Sequence, residues 1–187
     1  MPNWCANDLY ISAMNKHKLN AFAQKVGLKD RDNATFDYGK ILPEPDYEEV
    51  EVLPTFPAIT GHNKPVDSSQ AWWDWRVQNW GCKWDINELD IPPIWGKWEQ
   101  YGDHKDVHYI HIQFESPWSP PEPVIIAAGE QHPELVFALH YFEPGVGFEG
   151  ELVILNGEID MQEQRACRPE IEYLAETRAT QIGEGEK

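Results

Sequence analysis

The chain has 187 residues, a length typical of one domain. It carries 15 Lys and Arg against 32 Asp and Glu, which gives a formal net charge of −17. Polyanions bind proteins mainly through phosphate neutralisation by Lys and Arg, so nucleic acid is an unfavourable direct ligand. The same charge favours a protein partner with a basic surface.

Other features of the composition exclude further classes of protein. No apolar run approaches the roughly 20 residues that a membrane helix needs, and the first residues lack the pattern of a signal peptide. We therefore expect a soluble, cytoplasmic protein with no membrane contact. Cys5, Cys82 and Cys167 are far apart and odd in number. This spacing argues against a disulfide framework and against a zinc site, so we expect no metal and no cofactor.

The first half of the chain predicts two strands and two helices. Residues 3–12 alternate well enough for a strand, and an apolar face at helical spacing predicts a helix over 16–26. Residues 29–69 contain five prolines and form a long excursion rather than core scaffold, in which we expect short helical or strand pieces. A Trp-rich helix is predicted over 70–80, followed by a short strand over 83–86.

The second half of the chain predicts mostly strands. A loop with several prolines and glycines begins it, and Asn156-Gly157 between two strand patterns predicts a hairpin. In chain order the predicted elements are a loop over 88–106, a strand over 107–115, a helix over 124–131, a strand over 135–142, hairpin strands over 148–155 and 159–167, a helix over 169–178 and a frayed tail over 181–187.

This order of elements predicts one α+β domain over residues 1–180. A split βαβ (βαββαβ) arrangement accounts for the first part, with the helices packed on one face of an antiparallel sheet. The excursion at 29–69 is then an insertion after the first helix. The hairpin extends the sheet, and the helix over 169–178 ends the domain.

Several phrases of the sequence occur together in a specific order. They are Met1-Pro2-Asn3-Trp4-Cys5, Ile41-Leu42-Pro43-Glu44-Pro45, Asn79-Trp80-Gly81-Cys82-Lys83-Trp84-Asp85, Trp118-Ser119-Pro120-Pro121 and Tyr141-Phe142-Glu143-Pro144-Gly145. This set resembles the YubB-like family of phage and plasmid proteins. The resemblance implies a ferredoxin-like fold, a mobile-element origin and action in the cytoplasm of a bacterial host cell.

The resemblance implies no biochemical activity. The term ferredoxin-like describes a topology, and it does not imply an iron–sulfur cluster. Such a cluster takes four cysteine thiolates, whereas this chain has three scattered cysteines. We therefore expect no iron–sulfur cluster.

The tryptophans are the first group of candidate binding residues. Aromatic side chains often form the centre of a protein interface, so Trp72, Trp73, Trp95 and Trp98 are candidates for a protein-interaction patch. Two other interpretations stay open. The rings can belong to the core, where aromatic side chains supply much of the buried area, or they can stack on nucleobases.

Acidic residues form the second group of candidates. An acidic run near residue 50 and a glycine-rich turn near residue 147 concentrate carboxylates, and together they predict an acidic contact surface. Glu143 with Glu149 or Glu151 could alternatively form a carboxylate pair for acid–base chemistry. The predicted contact residues are Glu48, Glu49, Glu51, Glu143, Glu149 and Glu151.

The sequence as a whole favours a binding protein over an enzyme. We expect a non-enzymatic accessory protein that binds a basic protein of the host or the element, for example one that handles nucleic acid. One alternative is a small enzyme with a site near His104–His111, although no catalytic residues are assigned. Another is a weak nucleic-acid-binding module that uses Lys16, Lys18 and Lys25 on the first helix.

Overall fold

A computed structural model describes residues 3–30, 33–48, 68–86, 89–99 and 106–167. Within these residues the chain forms six strands, three α-helices and a 3₁₀ turn. In chain order they are β1 (Trp4–Ala13), α1 (Lys16–Val26), the 3₁₀ turn (Tyr38–Lys40), α2 (Ser68–Asn79), β2 (Ile94–Trp98), β3 (Val107–Pro117), α3 (Glu122–Gln131), β4 (Val136–Glu143), β5 (Phe148–Leu155) and β6 (Glu158–Ala166).

The six strands form one sheet in the order β2-β3-β1-β4-β5-β6. Every neighbouring pair is antiparallel. Because β1 and β2 both lie beside β3, they run in the same direction with β3 between them. An α+β fold with an antiparallel sheet is therefore confirmed.

The two faces of the sheet differ in character because successive side chains of a strand point to opposite sides. One face carries fully buried residues such as Leu9, Ile112 and Leu139, and α1 and α3 pack against it. At its centre Phe22 of α1 meets Phe137 of β4 edge to face, with ring centroids 5.4 Å apart. Among the described residues no helix covers the other face, which we call the open face.

The first helix has the limits that the sequence predicts. The Asn15 side chain accepts a hydrogen bond from the His17 N–H at the start of α1. Gly27 ends the helix with φ of 88°, the left-handed conformation that glycine adopts without strain. Leu19, Phe22 and Val26 are buried, which confirms the apolar face.

The second strand of the sheet is not the one that the sequence predicts. Ile94–Trp98 forms β2 within the predicted loop, whereas residue Ile86 makes only an isolated bridge with Phe36. Gly96 concealed this strand because glycine usually marks a turn. Here it allows close packing, since a Cβ on Gly96 would lie 2.2 Å from Cζ of Tyr109.

Part of the predicted excursion belongs to the core. Ala34, Phe36, Tyr38 and Ile41 are buried, so the prediction that residues 29–69 lie outside the core is wrong for this stretch. The expected short pieces are present as the 3₁₀ turn and the bridge. The Asp85 carboxylate anchors the segment by accepting a hydrogen bond from the Tyr38 N–H at 2.8 Å.

The hairpin between β5 and β6 is confirmed. Asn156 and Gly157 have φ of 55° and 81°, the pair of positive values that a tight type I′ turn requires. The helix predicted over 169–178 and the tail over 181–187 lie outside the described residues.

Among the described residues, no helix is both long and apolar enough to cross a membrane.

Candidate functional site

The open face of the sheet holds a group of stacked rings from three neighbouring strands. Tyr10 of β1 lies parallel to His111 of β3, with centroids 4.1 Å apart and an interplanar angle of 2°. Trp98 of β2 stacks on Tyr109 of β3 at 4.3 Å. We call Tyr10, Trp98, Tyr109 and His111 the aromatic cluster. Trp98 is 45% exposed, so partner molecules can reach the cluster.

The stacking within the cluster limits what the rings can bind. In each pair one face of a ring is covered by its partner. A nucleobase that stacks on a protein needs a free ring face. The arrangement therefore leaves less surface for bases than separated rings would, while the ring edges remain available for protein contact.

A carboxylate fixes one side of the aromatic cluster. Asp8 Oδ1 lies 2.7 Å from His111 Nε2, and it accepts a hydrogen bond from Gln113 Nε2 at 2.9 Å. These contacts orient the imidazole against Tyr10. Asp8 thus contacts the aromatic cluster and also lies next to the other acidic residues of the open face.

A cavity of about 240 Å³ lies on the open face next to Asp8, between β1, β4 and β5. Its rim carries Glu149 and Glu151 together with His140 and Arg165, and we call it the acidic hollow. Glu149 pairs with Arg165 at 2.7 Å, and His140 lies 3.3 Å from Glu151. Carboxylates therefore outnumber fixed cations around the hollow.

Two glutamates face each other across the strands beside the hollow. Glu151 of β5 is the direct register partner of Glu163 on β6. Like charges directly opposite one another on neighbouring strands are destabilising. A positively charged group from a partner would relieve this repulsion.

The four predicted tryptophans do not form one patch. Trp98 belongs to the aromatic cluster, but Trp95 lies on the other face and packs against the core. Three positions separate these residues, and an odd separation along a strand places side chains on opposite faces. Trp72 and Trp73 are half-buried on α2, away from the sheet.

The Arg76 side chain of the Trp-rich helix makes cation–π contacts with neighbouring tryptophan rings. The Arg76 guanidinium lies over Trp72 and Trp80, 5.2 and 4.9 Å from the ring centroids. The same guanidinium pairs with the Glu44 carboxylate. These contacts indicate a structural role for this part of α2.

The predicted acidic residues also separate into groups. Glu149 and Glu151 lie on the open face, Glu48 is exposed elsewhere, and Glu49 and Glu51 fall outside the described residues. Glu143 is only 1% exposed, so the prediction that it contributes to a contact surface is wrong.

The burial of Glu143 has a local cause. Its carboxylate accepts hydrogen bonds from the backbone N–H groups of Gly145 and Val146 in the turn between β4 and β5. This role also removes Glu143 as one half of a catalytic carboxylate pair.

The histidines proposed for an enzyme site do not converge. His108 pairs with Ala13 in the β1–β3 ladder, and His111 pairs with Tyr10, so the two side chains point to opposite faces. His104 lies outside the described residues. The described part of the chain contains no group of three His, Cys, Asp or Glu side chains that could hold a metal ion.

Two of the three cysteines are buried, and their thiols have low reactivity. Burial, with Glu143 nearby, raises the pKa of the Cys5 thiol to about 12. Burial and the Asp85 charge raise the pKa of Cys82 to about 12 as well. Both thiols therefore stay protonated near neutral pH and are poor nucleophiles.

Two of the lysines on α1 have partners nearby. Lys18 Nζ lies 3.4 Å from a Glu134 oxygen, and Lys25 Nζ donates to Gln131 at 3.2 Å. The Glu134 carboxylate offsets part of the charge of Lys18, whereas the neutral Gln131 amide leaves the charge of Lys25 unchanged.

The sequence interpretation did not single out Asp8, Tyr10 and Tyr109. The alternating pattern over 107–115 placed Tyr109 and His111 on one face, which was a usable signal. The sequence pattern does not give the strand register, which places Tyr10 opposite His111 and Gly96 opposite Tyr109.

Comparison with a family model supports the fold class. Residues 97–181 match the family model described as "Ferredoxin-like domain in Api92-like protein". This match covers less than half of the chain. A solved structure, the protein api92 from Yersinia pseudotuberculosis, is similar with a TM-score of 0.48 and 10% sequence identity, covering 90% of this chain and 100% of that one. No curated protein matches the chain.

Proposed function

We propose that this protein is a non-catalytic binding module whose open face engages a basic surface of a partner protein. It acts in the cytoplasm of a bacterial cell as an accessory protein of a phage or plasmid, in keeping with the resemblance to the YubB-like family. A host protein that handles nucleic acid is a suitable partner, because its basic surface is complementary to carboxylates.

The observation that carries this proposal is the like-charged pair Glu151 and Glu163 beside the acidic hollow. An arrangement that costs stability in the free protein is explained if a basic side chain inserts between the carboxylates in the complex. The exposed edge of Trp98 supplies the apolar contact that interface centres commonly need.

The same features count against the two alternatives. A nucleic acid would meet Asp8, Glu151 and Glu163 on the open face, and its phosphates would be repelled. An enzyme site that combines His108 with His111 is disfavoured, because the two side chains lie on opposite faces of β3.

The proposal includes a finer interpretation of the fold. We interpret β1, α1, β2, β3, α3 and β4 as a ferredoxin-like split βαβ core, to which β5 and β6 add a hairpin. On this interpretation residues 1–180 form one domain. The hairpin then widens the open face and supplies Glu149, Glu151 and Glu163.

A titration with two probes tests the proposed function. We expect an arginine-rich peptide to bind the wild-type protein at low salt, and an oligothymidylate of similar length to show no binding. The Glu151→Gln/Glu163→Gln variant should bind the peptide about tenfold more weakly, since each exposed charge pair contributes up to about 1 kcal/mol. Fluorescence anisotropy measures all three affinities.

A charge-matched variant separates the open face from general electrostatics. Glu48→Gln/Glu130→Gln removes the same charge from exposed positions off the sheet, and it should leave the affinity within about twofold. The open-face variant should stay within about 1 kcal/mol of the wild-type stability, because the loss of the Glu151–His140 contact offsets the removed repulsion. Equal weakening by both variants, or tighter binding of the oligothymidylate, would contradict the proposal.

A further inference from the structure

A second and larger cavity, of about 670 Å³, lies beside the final part of β3. β2 pairs with β3 only from Val107 to His111, whereas β3 continues to Pro117. Within the described ranges no strand lies beside the remaining edge of β3. We call the cavity along this edge the β3-edge groove.

The backbone of β3 has hydrogen-bonding groups on the edge that faces away from β1. On the β1 side, the Trp118 N–H donates to the Asn3 carbonyl at 2.9 Å. Successive residues of an antiparallel strand turn their backbone groups to alternate sides, so Gln113 and Glu115 turn theirs away from β1. No backbone hydrogen bond between described residues outside the regular β1–β3 ladder uses these groups.

Part of the wall of the groove is formed by apolar side chains. Trp4 and Trp84 meet edge to face with centroids 6.3 Å apart, and Ile91 lies on the same lining. Trp4 is 42% exposed and Ile91 is 49% exposed. Alternate side chains of an extended segment in the groove would contact these surfaces.

The mouth of the groove is acidic. Asp90 and Glu115 are exposed there, and Asp8 and Asp85 also line it. None of the described residues that line the groove is Lys or Arg. The Lys83 ammonium lies over the Trp84 ring, 5.0 Å from its centroid. The charge of the mouth therefore suits a segment that carries basic side chains.

We propose that the β3-edge groove binds an extended, lysine-containing segment of a partner protein as an additional strand on β3. The backbone of Gln113 and Glu115 supplies the pairing groups, as in other cases where a peptide joins an unpaired sheet edge. Trp4 and Glu115 lie on the same face of the sheet, so lysines of the segment on that face pack their stems on Trp4 and bring their ammonium groups toward Glu115 and Asp90. Its apolar side chains turn to the other face. The inference rests on the proposed function, because it assigns a binding mode to the same basic partner.

The test uses a synthetic peptide of roughly eight residues that alternates lysine and valine, a length that matches an ordinary strand. Its control has the same side chains but N-methyl groups on alternate backbone amides, which block strand pairing and keep the charge. We expect the first peptide to slow amide hydrogen exchange at Gln113 and Glu115 at least tenfold. The methylated peptide should leave the exchange unchanged.

Two variants locate the binding on the protein. Asp90→Lys/Glu115→Lys should weaken binding of the lysine–valine peptide by at least tenfold, and the matched Glu48→Lys/Glu130→Lys variant should weaken it by less than threefold. Equal binding of the methylated peptide, or equal loss in both variants, overturns the inference. Self-association of the free protein that Asp90→Lys/Glu115→Lys abolishes also overturns it, because the groove then holds a second copy.

The outcome can be separated from that of the proposed function. The lysine–valine peptide can protect β3 while Glu151→Gln/Glu163→Gln leaves binding of the arginine-rich peptide unchanged. That result supports the inference about the groove and contradicts the open-face proposal. If the open-face variant weakens binding but β3 gains no protection, only the groove inference is overturned.

Discussion

Replacing Phe137 with alanine is expected to lower the free energy of unfolding by about 3–5 kcal/mol, which corresponds to roughly 10 °C in Tm. Phe137 is fully buried on β4, where its ring meets Phe22 of α1. Removing the ring loses its burial and leaves a cavity that the sheet and α1 can fill only in part. Urea denaturation followed by tryptophan fluorescence measures the change.

The control for this variant is the same substitution on the same strand. Phe142 lies on the open face of β4 and is 43% exposed. Phe142→Ala should cost about 1 kcal/mol or less, because the ring is already largely in contact with water. Similar losses for the two variants would show that the faces of β4 are assigned wrongly, and the open face would lose its basis.

Gly81→Ala should destabilise the protein by about 3 kcal/mol. Gly81 has φ of 87°, a conformation that costs other residues roughly 1–2 kcal/mol. A Cβ at this position would also lie 2.6 Å from Cδ of Pro123 and 2.7 Å from the carbonyl oxygen of Pro120. The chain between β3 and α3 would have to move, which adds a packing cost.

Gly147 provides the matched comparison for Gly81. Its φ is 90°, but the nearest atom to an added Cβ is the Cys167 sulfur at 3.7 Å. Gly147→Ala should therefore show only the conformational cost of about 1 kcal/mol. Thermal denaturation of both variants distinguishes the two contributions, and equal losses would contradict the close packing described at Gly81.

The sequence predicted those elements whose pattern is local. Helix α1 and the β5–β6 hairpin are long and regular, and their ends carry Gly27 and Asn156-Gly157, whose conformations are specific to such positions. β3 was predicted because its buried and outward residues alternate without interruption from Val107 to Glu115.

Elements that depend on partners were not predictable in the same way. β2 is short and contains Gly96, and it is recognisable only through its pairing with β3 and the ring of Tyr109. The division of Trp95 and Trp98 between two faces follows from that pairing. Composition placed both in one group, because it carries no information about register.

The candidate site shows the same division between local and long-range information. The excess of acid was evident from composition, and Glu149 and Glu151 were predicted as contact residues. The burial of Glu143 depends on backbone N–H groups of a turn, and the opposition of Glu151 and Glu163 depends on the β5–β6 register. Neither can be obtained from charge counts alone.

The central claim is that the open face binds a basic partner, and amide NMR spectra of the intact protein test it most directly. On addition of the arginine-rich peptide, the shifts should change most at Tyr10, Glu151 and Glu163, and little in α1 and α3. The largest changes should disappear at high salt. Changes centred on α1 or α3, with the open face unaffected, would contradict the account.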